Sequence, residues 1–180
     1  MSQSEKAELR RLMREKRGRL SENEVLNRSS VIIGKIEVML EFLKAKTVLI
    51  YWSLPEEVQT HEFIRKWSDI KSFVLPQVSG TRLILRRFDP GGKMKKGKKL
   101  NIMEPTGEVI EDYSIIDLAI IPGVAFDKTG NRLGRGKAYY DKLLPDLVDT
   151  PKIGVAFDFQ VLKSIPTDPH DVMMDYVITD

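Results

Sequence analysis

Residues 118–141 read LAIIPGVAFDKTGNRLGRGKAYYD, and the fold class is predicted mainly from this segment. Its first four residues, 118–121, are all apolar, which is typical of a strand buried on both faces of a sheet. Residues 127–130 (DKTG) predict a turn. Two glycines among three cations then lead into a helix predicted at 138–144. A buried strand, a glycine-rich loop and a helix in succession favour an α/β domain.

Two helices are predicted at the start of the chain. Ser2 with Glu5, and Ser21 with Glu24, have the spacing of capping boxes. We expect the first helix to end near residue 19 and the second near residue 44. Their core-facing residues are predicted from helical spacing. These are Leu9, Leu12 and Met13 in the first helix, and Val25, Ile32, Ile36, Met39, Leu40 and Leu43 in the second.

The remaining apolar runs complete an α/β pattern. We expect the run 73–75 to be stopped by Pro76, which lacks a backbone N–H. The other predicted elements are strands at 48–52, 82–88, 153–157 and 176–178, and a helix at 60–68. Because strands alternate with helices and no long linker interrupts them, residues 1–180 are predicted to form one α/β domain. Its central sheet should be largely parallel and flanked by helices, with the two N-terminal helices in addition.

Composition excludes several classes of protein. Of the 180 residues, 42% are hydrophobic and 31% charged, which is typical of a globular protein rather than a disordered one. There is no cysteine, so disulfides, thiolate metal sites and a cysteine nucleophile are excluded. The first 20 residues alternate in charge and no apolar run is long enough to span a bilayer, so we expect a cytoplasmic protein without membrane contact.

The loop at 130–137 has the composition of a phosphate-binding loop. Glycines allow backbone N–H groups to approach a ligand, and Arg132, Arg135 and Lys137 supply charge and donors. The spacing differs from a Walker A motif, because five residues separate Gly130 from Gly136 and Ala138 follows the lysine. From the residues alone, two interpretations stay open: a phosphate-binding loop, or a solvated basic turn.

At this point the sequence resembles the 5-formyltetrahydrofolate cyclo-ligases, also called methenyltetrahydrofolate synthetases. The string R-L-G-x-G-x-x-Y-Y-D at 132–141, preceded by P-G-x-x-F-D at 122–127, is similar to that family's signature. The sequence departs from the family at Ala138, where members commonly carry glycine. Further similar segments lie at 6–10 (KAELR), 51–54 (YWSL), 56–60 (EEVQT), 103–105 (MEP) and 170–177 (HDVMMDYV).

The resemblance implies an ATP- and Mg²⁺-dependent enzyme that converts 5-formyltetrahydrofolate to 5,10-methenyltetrahydrofolate. Carried over residue by residue, it implies catalytic roles for Arg135 and Lys137 and magnesium support from Asp141 and Asp171. The folate site is implied to include Trp52, Glu57, Arg135, Gly136, Lys137, Ala138 and Tyr139. The ATP contacts are implied to be Lys6, Arg10, Arg132, Leu133, Gly134, Arg135, Gly136, Lys137, Ala138, Tyr139 and Tyr140.

Several of these residues also have a purely structural interpretation. Lys6 and Arg10 belong to a helix with seven cations at 6–19, as in a solvated helix face. Trp52 could end a core strand. His61 and His170 are interpreted as exposed or loop residues. The run 91–99, with five lysines, predicts a mobile loop that is either a solvated tether or a means of attracting the polyglutamate tail of a folate.

Two other functions are alternatives to that of a cyclo-ligase. A small RNA-binding module would use the basic segments 6–19 and 93–99, but the aromatic residues are not interleaved with them as stacking platforms. A sugar-phosphate isomerase on a related fold would not require ATP. We therefore expect small-molecule substrates, no nucleic acid, and a monomer.

Overall fold

The structure is a computed structural model that describes residues 3–92, 94–97, 103–168 and 171–180. Five helices are present in these residues: α1 Gln3–Gly18, α2 Glu22–Glu37, α3 Leu40–Lys44, α4 His61–Trp67 and α5 Tyr139–Leu143. The strands of the central sheet are β1 Thr47–Leu49, β2 Ser72–Ser79, β3 Arg82–Arg87, β6 Val109–Ile110, β7 Leu118–Pro122, β10 Lys152–Val155 and β12 Tyr176–Ile178. Smaller sheets contain β4 Met94–Lys96, β5 Met103–Pro105, β8 Ala125–Asp127, β9 Arg132–Leu133 and β11 Val161–Leu162.

The central sheet has the strand order β12-β10-β7-β1-β2-β3-β6. Neighbours are parallel from β12 to β2, and β3 and β6 are added antiparallel at one edge. The predicted α/β fold with a largely parallel sheet and two N-terminal helices is therefore confirmed. In the described part of the chain, every helix is too short or too polar to cross a membrane.

Side chains of β7 alternate between the two faces of the sheet, as the twofold period of a strand requires. Leu118 and Ile120 pack in the layer that contains α2, α3 and α4. Ala119 and Ile121 pack in the opposite layer, with α5 and the 3₁₀ turn that follows it. Buried apolar side chains cover both faces of β7, which explains why the strand is a continuous apolar run in the sequence.

Helix α1 packs against a small sheet of order β11-β8-β9 rather than against the central sheet. Its Met13 is fully buried with Val124, Ala125 and Leu133. The prediction that Leu12 faces the core is wrong, because Leu12 is exposed and the inward face follows Met13 and Arg17 instead. This packing holds α1 beside the glycine-rich loop, which continues from β9.

The second predicted helix ends earlier than expected. Helix α2 begins at the Ser21–Glu24 capping box, as predicted, but it stops at Glu37 and α3 follows separately. The break turns Phe42 into the core, where it lies against Phe63 and Trp67 at centroid distances of 5.0 and 5.1 Å. In exchange, Leu40 and Leu43 are exposed, so their predicted burial is wrong. The other predicted capping box, Ser2 with Glu5, includes a residue outside the described ranges.

Several strand and loop boundaries also differ. Pro76 does not stop β2, which continues to Ser79. Strand β1 pairs with β2 only as far as Val74, so at Pro76 the edge of β2 that faced β1 no longer needs a backbone N–H donor. Strands β1 and β10 are shorter than predicted, and α5 is a single turn. The predicted mobile loop at 91–99 is wrong in part, since β4 lies within it and pairs antiparallel with β5. Lys93, Lys98, Lys99 and His170 lie outside the described residues.

Candidate active site

A cavity of about 230 Å³ opens at the carboxyl ends of β1 and β7. Tyr51 and Trp52 follow β1, Pro122 ends β7, and Gly123 follows it. The strand order changes direction here, because the chain runs from β1 to β2 on one side and later returns to β7 on the other. Open α/β sheets bind ligands at this kind of switch point.

Most of the predicted site residues meet at this cavity. Its wall is largely apolar and aromatic, with a few charged groups, which is the composition of a small-molecule site. Of the residues predicted from the sequence, the wall contains Trp52, Glu57, Arg132, Gly134, Arg135, Lys137, Ala138, Tyr139, Tyr140 and Asp141. Lys6, Arg10, Leu133, Gly136 and Asp171 are not part of the wall formed by the described residues.

Asp127 shapes the turn that leads into the loop. Its buried carboxylate accepts five hydrogen bonds, from Thr129, Asn131 and the backbone N–H of Ile165. Burial alone would raise the pKa of this carboxyl, but these donors, led by Asn131, outweigh burial and lower it. Gly130 closes the turn at φ +89°, as the predicted turn requires. The loop therefore begins from a fixed charged anchor.

Arg132 and Asp141 form an ion pair across the loop. The Arg132 Nη2 donates to Asp141 Oδ1, and the guanidinium carbon lies 5.4 Å from the Tyr140 ring centroid. The Arg132 side chain is almost fully buried, whereas Asp141 is 39% exposed and borders the cavity. Arg132 thus holds the start of α5 against the loop, and Asp141 presents its carboxylate to the cavity.

Arg135 reaches across the cavity to two acids from the segment after β1. Its Nη2 donates to Glu57 Oε1 at 2.6 Å and to Glu56 Oε1 at 3.1 Å. Burial by itself lowers the pKa of Arg135, but the charges of Glu57 and Glu56 outweigh burial and raise it. Glu57 Oε2 also accepts from the backbone N–H of Leu54 at 2.9 Å. These contacts join the loop to the wall that carries Trp52.

Helix α1 lies beside the loop and contacts it through Arg10. Arg10 Nε donates to the carbonyl of Gly134 at 2.8 Å. Lys6 Nζ lies 2.6 Å from Asp168 and 3.7 Å from Asp171, whose carboxylate also accepts the N–H of Asp168 at 2.7 Å. Arg10 therefore contacts the loop directly, whereas Lys6 pairs with acids of the segment that contains Asp168 and Asp171.

The loop backbone adopts conformations that only some residues tolerate. Gly136 has φ +89°, and a Cβ added there would lie 3.4 Å from Arg10 Cζ. Ala138 has φ 53° and precedes α5 as its N-cap, in the left-handed region that disfavours residues with a Cβ. Leu133 is buried and packs with Met13. The loop is therefore held close to α1.

Trp52 is packed by neighbours as well as exposed to the cavity. His61 stacks on it at a centroid distance of 4.1 Å, and Phe88 lies 5.8 Å away. The prediction that His61 is exposed is wrong, because it is half-buried and its Nε2 lies 3.1 Å from the Ser53 carbonyl. Burial lowers the pKa of His61, although the Ser53 carbonyl opposes this shift.

Two polar residues of the cavity wall, Tyr51 and Glu104, were not identified as functional from the sequence. Tyr51 is fully buried and donates its hydroxyl to the Val58 carbonyl at 2.8 Å, and burial raises its pKa. Glu104 borders the cavity and accepts from the Val78 N–H and the Gln77 amide. The Glu104-Pro105 pair was visible as a motif, but its position in space depends on the pairing of β4 with β5.

The predicted magnesium ligands do not form a ready-made metal cage. No group of three or more histidines and acids close enough to hold a metal occurs among the described residues. Asp141 borders the cavity and Asp171 lies beside Lys6. A single cavity carboxylate fits Mg²⁺, which is usually held by one or two carboxylates together with water and substrate phosphates. The donor set is therefore compatible with magnesium brought by a nucleotide.

A strand-end cavity that combines a cationic glycine-rich loop with aromatic walls defines an α/β enzyme site for a small-molecule substrate. Comparison with known proteins specifies the family. Residues 2–180 match the model of the 5-formyltetrahydrofolate cyclo-ligase family, and the chain belongs to this family of enzymes.

Individual relatives agree over almost the whole chain. The mouse (Mus musculus) 5-formyltetrahydrofolate cyclo-ligase is 31% identical over 97% of this chain and 93% of its own length. The structure of Aquifex aeolicus 5,10-methenyltetrahydrofolate synthetase superposes with a TM-score of 0.85 at 36% identity, covering 96% of this chain and 88% of that chain. The Mycoplasma pneumoniae 5,10-methenyltetrahydrofolate synthetase gives 0.79 at 29% identity, covering 97% and 98%. The resemblance seen in the sequence is confirmed.

Proposed function

We propose that this chain converts 5-formyltetrahydrofolate into 5,10-methenyltetrahydrofolate and consumes ATP in doing so. The observation that carries the proposal is the meeting of the cationic loop with the aromatic wall of β1 in one cavity. A phosphoryl group bound by the loop would thereby lie next to a flat heteroaromatic ligand bound against the aromatic wall. The names of the family and its relatives identify the substrate.

The chemistry requires an activated oxygen. The formamide oxygen of the substrate is a poor leaving group, so the γ-phosphoryl group of ATP is first transferred to it, which releases ADP. The folate N10 then attacks the formyl carbon, loses its proton, and the C–O bond breaks to release phosphate. Such a sequence needs positioning and charge stabilisation more than covalent help from the protein.

Arg135 and Lys137 are proposed to stabilise the transferred phosphoryl group. Both border the cavity, and Arg135 is 43% exposed, so its guanidinium is accessible to a ligand. Gly134 and Gly136 would admit the nucleotide phosphates to the loop backbone. Around them, the proposed ATP contacts are Lys6, Arg10, Arg132, Leu133, Ala138, Tyr139 and Tyr140. Arg10 supports the carbonyl of Gly134, so part of its role is to hold the loop in shape.

Magnesium is proposed to accompany the nucleotide. Asp141 would hold it from the cavity wall, and Asp171 would act through water from its position beside Lys6. When bound, Mg²⁺ would neutralise charge on the phosphates. Arg132 already orients the Asp141 carboxylate in the structure.

The folate is proposed to occupy the aromatic side. Trp52 and Tyr139 present ring surface to the cavity, and Glu57 offers a carboxylate to the donor edge of the pterin. Gly136, Lys137 and Ala138 complete this side. Glu57 is engaged by Arg135 in the structure, so binding of the pterin edge and release of Arg135 toward phosphate would occur together.

The lysine segment is proposed to attract polyglutamate tails. Lys95 and Lys96 are exposed on β4, whose partner strand places Glu104 at the cavity. We expect serine at both positions to raise KM more for polyglutamylated than for monoglutamylated substrate. Equal effects on the two substrates would contradict this role.

Variants of the loop test the proposal. Replacing Arg135 by Met should lower kcat by about 10²-fold or more, as loss of a transition-state charge contact does. The matched control is Arg11→Met, since Arg11 is 58% exposed and paired with Glu8 and Glu15 on the outer face of α1. Substrate labelled with ¹⁸O at the formyl group should transfer the label to phosphate. Unlabelled phosphate, or equal effects of the two substitutions, would overturn the proposed mechanism.

A further inference from the structure

Arg17 is a buried cation that none of the proposed contacts explains. Its side chain lies near the end of α1 and the residue is only 6% exposed. Its Nε is shielded from water and has no hydrogen-bond partner among the described residues. Burying part of a guanidinium without an acceptor is unfavourable, and an apolar residue of similar size would fill this place at lower cost. The charge of Arg17 therefore calls for a reason beyond packing.

The position of Arg17 on the helix places it with the site. It shares one face of α1 with Lys6, Arg10 and Met13, at intervals of three and four residues. Arg10 donates to the Gly134 carbonyl in the loop, and Met13 packs in one cluster with Leu133. Lys6 pairs instead with Asp168. Arg17 continues this row by one turn. The inner face of α1 thus carries these three cations together with the apolar Leu9 and Met13.

The electrostatic surroundings of Arg17 are the acids that hold Arg135. The pKa of Arg17 is lowered first by burial and next by the positive charge of Arg135, whereas Glu57 and Glu56 act in the opposite direction. The same two carboxylates therefore act electrostatically on both guanidiniums. A repulsion between the two cations exists in addition to their shared attraction to the acids.

Phosphate binding by Arg135 disturbs this balance. The Arg135 Nη2 contacts both Glu57 and Glu56, and these contacts must loosen before the guanidinium turns to a phosphate. The Glu57 side chain is only 12% exposed, so water would screen its charge poorly once Arg135 has left. A second cation that stays in place is what such an exchange requires.

We propose that Arg17 is a positioning residue whose guanidinium balances the charges of Glu57 and Glu56, so that Arg135 can exchange these carboxylates for a phosphate in the cavity. This inference rests on the proposed function, because it assigns Arg135 to the nucleotide phosphates. Arg17 acts through Arg135 and does not itself touch the substrate. Its repulsion of Arg135 favours the same exchange.

The test is a set of MgATP dissociation constants, measured together with the thermal midpoint of each folded variant. Arg17→Met should weaken MgATP binding by about tenfold, the usual size of coupling between interacting charged residues. Arg17→Lys keeps the charge and should lose less. Adding Glu56→Gln to Arg17→Met should restore most of the affinity, because one fewer carboxylate then holds Arg135. Arg11→Met, on the outer face of α1, should bind as the unaltered protein does.

The outcomes separate the two levels of the proposal. A folded Arg17→Met variant that binds MgATP normally overturns the inference, and so does a defect that Glu56→Gln leaves unchanged, as a merely structural role predicts. If Arg17→Met does not fold, Glu56→Gln alone decides: tighter binding of MgATP supports the inference, and unchanged or weaker binding overturns it. If the unaltered protein binds no MgATP, the proposed function itself fails, and the inference fails with it.

Discussion

Replacing Ala138 by glycine should stabilise the protein, although glycine usually destabilises. Among the described residues, Ala138 is the one non-glycine residue with positive φ, at 53°. The left-handed conformation costs an L-residue roughly 1–2 kcal/mol, which glycine avoids. Against this, glycine increases the freedom of the unfolded chain, which costs roughly 0.4–1 kcal/mol. The free energy of unfolding should therefore rise by about 0.5–1 kcal/mol.

Ala7→Gly is the matched control, because Ala7 is exposed within α1 and has ordinary helical geometry. There the same chemical change should lower the free energy of unfolding by about 1 kcal/mol. Equilibrium unfolding in urea measures both variants, and equal m-values would show that the comparison concerns the folded state. If Ala138→Gly destabilised the protein as much as the control, the left-handed start of α5, and with it the described shape of the loop, would be refuted.

Further predictions concern Gly130, Asp127 and His61, and each is measured by urea unfolding. Gly130→Ala should cost about 3 kcal/mol or more, because φ is +89° and the added Cβ would lie 2.2 Å from the Met174 carbonyl. Gly34→Ala is the matched control, because a Cβ at this position in α2 meets open space. It should raise the free energy of unfolding by about 1 kcal/mol. Asp127→Asn should cost roughly 3 kcal/mol, since an amide nitrogen then faces the donors that the carboxylate accepts. Stability should fall as the pH drops below about 6.5, the ordinary pKa of histidine, because burial lowers the pKa of His61 and the unfolded state therefore binds the proton more readily.

Each of these predictions has a distinct contrary result. Equal effects of alanine at 130 and 34 would show that the tight turn is not formed. A neutral Asp127→Asn would mean that its hydrogen bonds are made equally well by an amide. For His61, the control is His61→Gln, which should flatten the profile between about pH 5 and 6.5, where ordinary carboxylates have not yet titrated. A profile unchanged by that substitution would assign the pH dependence to another group.

The sheet was predictable because its strands obey simple local rules. The run at β7 is apolar throughout since both faces are covered, and Tyr176–Ile178 matches its predicted bounds. Errors arose where tertiary packing overrides the local pattern. Helical spacing continues past Glu37, but burial of Phe42 is achieved only by breaking the helix. The end of β2 likewise depends on its neighbours, because β1 pairs with it only as far as Val74 whereas β3 pairs with it as far as Ser79.

The site was predictable in its loop and less so in its long-range contacts. Glycines and cations at 132–141 indicated a phosphate loop, and the resemblance to a family added Trp52 and Glu57. No local pattern indicated that Arg135 contacts Glu57, which lies 78 residues earlier in the chain. Arg17 had a usable signal, since its spacing from Arg10 and Met13 places it on the inner face of α1. It was missed because basic residues on a helix usually face solvent.

The most direct test of the central claim is product formation by the purified protein. The protein is mixed with ATP, Mg²⁺ and 5-formyltetrahydrofolate, and the near-ultraviolet absorbance of 5,10-methenyltetrahydrofolate is followed, with each component omitted in turn. We expect an absorbance increase that requires protein, nucleotide, metal and folate together, with one ADP released for each product formed. A folded protein that binds MgATP but forms no product, or that forms product equally well without ATP, would contradict that claim.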